Sequence, residues 1–160
     1  MDFDLEKINS SHVRVRVCGL HITKKRILLL KHEGIGKNGF LWSPPGGGIE
    51  SNENARSALT REFKEETHLD ILVEDFCFTN EYLDKRVHAI ELFFTVRVVG
   101  GRLKLGKDPE LKKQILTKAD YLSFEHINEL NTFNKHNAFQ FCSDASQINK
   151  LRGYYFFKNI

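Results

Sequence analysis

Apolar and polar positions alternate most clearly over residues 88–99, where Ile90, Leu92, Phe94, Val96 and Val98 share one side and Gly100-Gly101 end the run. A period of two marks a half-buried strand. Residues 13–19 repeat it, with Val13, Val15 and Val17 set against Arg14, Arg16 and Cys18. After a turn at Thr23-Lys24-Lys25, residues 26–31 read as a second strand, and the two are expected to form a hairpin. A loop is expected over residues 34–45, followed by the run Gly46-Gly47-Gly48. Residues 52–67 turn helical, with Asn52 as the expected N-cap and Glu53 at the positive end of the helix dipole. Further strands are expected over 72–79, within 111–124 and at 154–157, with a turn at Asp84-Lys85-Arg86 and helices over 125–130 and 138–151. Strands on both sides of one long helix, without regular strand–helix alternation, predict one α/β (α+β) domain with a mixed or mostly antiparallel sheet.

The long helix breaks its own pattern. On a wheel with Ala55 at zero, Ala58, Leu59 and Phe63 fall at about 300°, 40° and 80° and define the core-facing stripe. Glu62 and Glu66, at about 340° and 20°, lie inside that stripe, and Glu65, at about 280°, lies on its edge. Carboxylates spaced i, i+3, i+4 repel one another, and turning two toward the core adds a desolvation cost. A cation between them offsets both, and oxygen-only ligands favour Mg²⁺, Mn²⁺ or Ca²⁺ over zinc. A solvated acidic patch paired with Lys and Arg would explain three glutamates alone. It does not explain why glycines directly precede this helix, where their close backbone approach suits a metal or phosphate.

From Gly47, five residues lead to Glu53 and seven more to Arg61-Glu62-Phe63-Lys64-Glu65-Glu66-Thr67-His68-Leu69. This spacing resembles the Nudix box, and the approach Trp42-Ser43-Pro44-Pro45-Gly46-Gly47-Gly48-Ile49-Glu50 is also similar to that family. The resemblance extends in element order to about Leu130. One position departs: His68 stands where the box ends its helix with glycine, so a left-handed residue is expected there.

The resemblance implies a Nudix-like α/β/α sandwich that hydrolyses a nucleoside diphosphate linked to another moiety, with Mg²⁺ or Mn²⁺. Nucleotide sugars, ADP-ribose and nucleoside triphosphates all remain open as substrates. It implies Glu62, Glu65, Glu66 and the Gly47 carbonyl as metal ligands, and a Glu53–Arg61 salt bridge joining loop to helix. The general base would come from the acid cluster or from a later loop, where Glu110 is preferred over Asp108; Glu91 is a third candidate. Lys31 and either Arg14 or Arg16 are candidates for substrate phosphate, and Tyr82, Phe78 or Trp42 for base stacking. With 13 Phe, 4 Tyr and 1 Trp, most of these rings must serve the core. A homodimer is a further family expectation.

Composition narrows the alternatives. The 160 residues carry 24 Lys and Arg against 21 Asp and Glu, a net charge of +3 that gives no basis for nucleic-acid binding. The start Met1-Asp2-Phe3-Asp4-Leu5-Glu6 lacks the basic and apolar runs of a signal peptide, and the run Ile27-Leu28-Leu29-Leu30 is too short to span a bilayer. Cys18, Cys77 and Cys142 form no Cys-x-x-Cys pair, which fits thiols in a reducing cytoplasm. Two other readings of the same fold are a prenyl-diphosphate isomerase, which would need a cysteine and a glutamate beside the metal, and a non-catalytic sensing module. The second is disfavoured because every box acid is retained.

Overall fold

A computed structural model describes residues 12–109 and 111–159. Strands β1 (Arg14–Leu20), β2 (Ile22–Thr23), β3 (Arg26–Glu33), β4 (Phe40–Ser43) and β5 (Gly46–Gly48) precede helix α1 (Ala55–Thr67). After it come β6 (Leu69–Leu83), β7 (His88–Gly101), β8 (Leu116–Ser123), α2 (Phe124–Glu129) and β9 (Gly153–Lys158). The strands divide into two sheets. One is mixed, in the order β5-β1-β7-β6-β9, with β1 parallel to β7 and β6 parallel to β9. The other pairs β2 with β3, and β3 in turn with β4 and β8, all antiparallel. Helix α1 lies on one side, and α2 with three 3-10 segments lies on the other, giving an α/β/α sandwich.

The alternation along β7 sorts its side chains between two cores. Phe94 and Val96 join Val17, Leu28 and the α1 residues Ala58, Leu59 and Phe63. Phe93 faces away, with Cys18, Leu20 and Ile27, toward Phe139 and Ile148 of the C-terminal segment. The inner stripe of α1 is thus what fixes the helix on the sheet, as its apolar period requires.

Several expectations are corrected. Residues 13–19 and 26–31 do not form a hairpin: β1 pairs with β5 and β7, while β3 takes the short β2 as its hairpin partner. A two-strand period cannot say which strands pair, because alternation fixes a face and not a neighbour. Part of the loop expected over 34–45 is strand β4, and the glycine run is itself strand β5. The N-cap of α1 is Asn54, whose side chain accepts from the Ser57 amide at 2.9 Å; Asn52 instead takes a left-handed turn with φ 68°. The helix expected over 138–151 is two 3-10 segments, Asn137–Phe141 and Ala145–Lys150, each opened by a side-chain cap. His68 does take the left-handed conformation, φ 60°, and its amide donates to Lys64 O at 3.1 Å.

Candidate active site

The glycine strand β5 and the inner face of α1 meet edge to face. Val17 of β1 is paired with Gly47, and the backbone at Gly47 lies so close to the Glu62 carboxylate that a Cβ there would collide with it. Only glycine allows that approach. One residue earlier, the Gly46 amide donates to Glu66 Oε2 at 3.0 Å. Glu62 and Glu66 are only 8% and 5% exposed, as their wheel positions require. Burial raises the Glu62 pKa to about 7 despite the neighbouring Arg61, and burial together with the Glu62 charge pushes Glu66 well above the carboxylate range. Glu65, half-buried, is shifted up as well, again by burial first.

Arg61 gathers these acids. Its Nε and Nη2 donate to the two oxygens of Glu53 at 3.1 and 2.7 Å, and Nη2 also reaches Gly48 O at 3.0 Å. Its Nη1 donates to Glu62 Oε1 at 3.0 Å and to Glu65 Oε2 at 3.3 Å. The guanidinium therefore connects the loop before the helix, the glycine strand and the acids of the middle turn.

A second loop arrives from β7. Residues 102–109 run along the C-terminal half of α1, where Lys104, Gly106 and Lys107 amides donate to the carbonyls of Thr67, Glu66 and Glu65. A Cβ on Gly106 would collide with Glu65 O, so this close contact also requires glycine. The contact brings Asp108 near enough for its charge to add to the upward shifts that burial gives Glu65 and Glu66, and to oppose the burial that lowers the His32 pKa to about 4. Glu110, the preferred base candidate, lies outside the described residues.

Lys31, Tyr82, Phe78 and Trp42 have partners other than the acids of α1. Lys31 Nζ is paired with Glu33 at 2.6 Å and sits over the Phe40 ring. Tyr82 donates to Asp84 at 2.8 Å and stacks on Phe157. Arg14 is half-buried opposite Ala89, two residues before Arg16 on the same strand face. Phe78 is buried against Phe93, and Trp42 belongs to the same core.

Glu91 is neither free nor a good proton acceptor. It is buried, accepts from Asn80 Nδ2 at 2.8 Å and is hydrogen-bonded to His136 Nε2 at 2.9 Å. Burial opposes its ionisation, but His136, Arg16 and Asn80 together hold its pKa down to about 2. Asn80 was within reach of sequence reasoning, since alternation puts it two residues from Phe78 and Tyr82 on one face. His136 was not: it lies between 3-10 segments, where no period operates.

The donors at Glu62, Glu65, Glu66 and Gly47 are all oxygens, and the acids are buried without enough cationic charge to hold them at ordinary pKa values. Both properties fit a hard divalent ion. With Arg61 and the Gly46 amide as their partners, no three acidic, histidine or cysteine side chains among the described residues converge on one point.

Comparison with known proteins agrees with this geometry. The NUDIX domain model matches residues 10–140. The ADP-ribose pyrophosphatase of Methanocaldococcus jannaschii is 34% identical over 118 residues, covering 72% of this chain and 69% of that protein. Among solved structures, a NUDIX hydrolase from Nitrosomonas europaea superposes with a TM-score of 0.68 at 12% identity, over 94% of this chain and 81% of that one. An ADP-ribose pyrophosphatase from Streptococcus suis gives 0.61 at 15% identity, over 91% and 100%. At these identities the two structures speak to the fold.

Proposed function

This chain belongs to the NUDIX family as a hydrolase of diphosphate linkages, and on that premise we propose that it cleaves a nucleoside diphosphate joined to a second moiety, with Mg²⁺ or Mn²⁺. ADP-ribose is the leading substrate because the relative from Methanocaldococcus jannaschii carries that name. Nucleotide sugars and nucleoside triphosphates follow. The observation that carries the reading is the pair of buried carboxylates, Glu62 and Glu66, held against Gly46 and Gly47, where there is no room for a side chain.

On this reading Glu62, Glu65, Glu66 and the Gly47 carbonyl hold the cation. When bound, such an ion neutralises phosphate charge and lowers the pKa of the attacking water. Arg61 and Glu53 keep helix and glycine strand in register, which preserves the spacing of the acids. A carboxylate of the loop after β7, Glu110 or Asp108, takes the proton from water. The contact of that loop with Glu65 and Glu66 supports the assignment. Lys31, Arg14 and Tyr82 would make outer contacts with substrate, Lys31 after leaving Glu33.

The isomerase reading has one observation in its favour: the Cys18 thiol donates to Glu91 Oε2 at 3.6 Å. Burial, then the Glu91 charge, pushes that thiol well above its ordinary pKa, so it is a poor nucleophile and a poor acid. We place the protein in the cytoplasm, in keeping with its unpaired Cys18, Cys77 and Cys142. No helix among the described residues is long and apolar enough to cross a membrane. A homodimer is supported by the exposed Tyr154 and Phe156 on the edge strand β9. Nucleic acid is not expected as a partner.

The test is turnover of ADP-ribose, nucleotide sugars, dinucleotides and nucleoside triphosphates with Mg²⁺ or Mn²⁺, by wild type and Glu66→Gln in parallel. Cleavage by wild type and its loss in Glu66→Gln is the expected result. Absence of turnover by wild type, or full activity of Glu66→Gln, overturns the proposal.

A further inference from the structure

Two arginines stand near the acids of α1, and their guanidinium groups are in opposite states. Arg61 has its nitrogens committed to Glu53, Gly48, Glu62 and Glu65. Arg16 makes one ion contact, from Nε to Glu91 Oε2 at 3.9 Å, which is too long for a hydrogen bond. No acceptor among the described residues takes a hydrogen bond from its terminal nitrogens. A guanidinium carries five donors in a planar fork, and this one, 31% exposed, has its Nη1–Nη2 edge unmet among the described residues.

Its strand position sets it beside the candidate site. Arg16 is in register with Gly48 of the glycine strand on one side and with Glu91 on the other. Gly48 adjoins Gly47, whose backbone lies against the Glu62 carboxylate, so Arg16 stands one residue from that contact. His32 is a second observation: its Nδ1 is buried and has no hydrogen-bond partner among the described residues.

The carboxylate behind Arg16 is anchored more firmly than a loose ion pair requires. Glu91 Oε1 is bonded to both Asn80 and His136, and its Oε2 accepts from Cys18. Asn80 is itself fixed by a reciprocal amide pair with Asn137, at 3.1 and 3.2 Å. His136 and Asn137 come from the C-terminal segment, which therefore supplies the support of a charged group more than a hundred residues earlier in the chain.

We propose that Arg16 receives a phosphate of the substrate on its free Nη1–Nη2 edge, across the cleft from the acidic helix, and that Glu91, fixed by His136 and Asn80, is the positioning residue that orients it. Fork-to-phosphate pairing is the geometry for which arginine is suited and lysine is not. The assignment rests on the hydrolase reading above, and it moves the principal cationic contact from Lys31 and Arg14 to Arg16.

Two measurements test it. The first is calorimetric binding of ADP-ribose without metal, to wild type, Arg16→Gln, Arg16→Lys, Glu91→Gln and the Arg16→Gln, Glu91→Gln double variant. The second is steady-state turnover of ADP-ribose with Mg²⁺ by the same proteins. Loss of one charge-assisted pairing corresponds to roughly tenfold weaker binding. Arg16→Gln is expected to bind that much more weakly and to raise KM with little change in kcat, and Arg16→Lys to recover only part of the loss. Glu91→Gln is expected to weaken binding in the wild-type background and to add nothing in the Arg16→Gln background, a pattern that general destabilisation does not produce. Wild-type binding and KM in Arg16→Gln overturn the proposal while leaving the hydrolase reading standing. Failure of wild type to turn over any substrate removes the hydrolase reading, and metal-free binding then still decides the role of Arg16.

Discussion

Arg61 and Glu53, eight positions apart, share two hydrogen bonds, Nε to Oε2 at 3.1 Å and Nη2 to Oε1 at 2.7 Å. Glu53 sits outside the helix, just before the cap Asn54, so the fork fastens the approach of the chain to the middle of α1. The same guanidinium holds Gly48 O and thereby the glycine strand.

Arg61→Lys keeps one charge and discards the planar fork. Residues that orient metal ligands are worth about 10- to 100-fold in affinity or activity, and a loss of that size in kcat/KM is expected here. Thermal melting, run beside the kinetics, should show a folded protein. Wild-type kcat/KM in Arg61→Lys means that a single charge suffices and the two-point contact with Glu53 is dispensable.

His68 ends α1 at φ 60°, a conformation that costs a residue with a Cβ about 1–2 kcal/mol. His68→Gly removes that strain and returns part of it as unfolded-state entropy, leaving a net gain of about 0.5–1 kcal/mol. For a chain of this size that is a rise in Tm of about 1–4 °C, with kcat unchanged. A lower Tm would mean that the imidazole makes a stabilising contact in solution.

The inner stripe of α1 was legible because a helix has one period, and Glu62 and Glu66 broke it at residues that are buried. The left-handed His68 was legible because its place at a helix end admits few conformations. Pairing was not: Val13, Val15 and Val17 show that a strand exists, but the partners of β1 come from residues 46–48 and 88–101, and no local pattern encodes that choice. The support of Glu91 was hidden for the same reason. Its partners Asn80, Cys18 and His136 lie 11, 73 and 45 positions away and meet only in the folded sheet.

Gly106 is the point at which the loop after β7 touches α1, and a Cβ there would overlap the Glu65 carbonyl. Gly106→Ala must therefore push residues 102–109 away from the helix, moving Asp108 relative to Glu65 and Glu66. Misplacing a reacting group by about 1 Å can cost 10²-fold in rate. A fall of at least tenfold in kcat is expected, with a smaller change in Tm, because Leu103 is the one residue of this loop that packs against an apolar core. Unchanged kcat would show that no catalytic group resides on this loop.

The acids should also set how the metal-free protein responds to pH. Glu62 has a folded pKa of about 7, raised by burial from the ordinary carboxylate value of 4.5. Between those two values the folded state binds more protons than the unfolded state, so stability must fall as pH rises. The loss accumulates from about pH 4.5 and is complete above about pH 7. Glu66, shifted in the same direction by burial and by Glu62, adds to the effect. Urea midpoints measured in chelator across this range should decline for wild type and decline less for Glu62→Gln, which has no proton to lose. Mg²⁺ should restore wild type more at pH 8 than at pH 5, because a cation competes with protons for the same oxygens. Equal slopes in the two proteins would mean that Glu62 titrates as an ordinary surface carboxylate, and the buried pair would then need no cation to account for it.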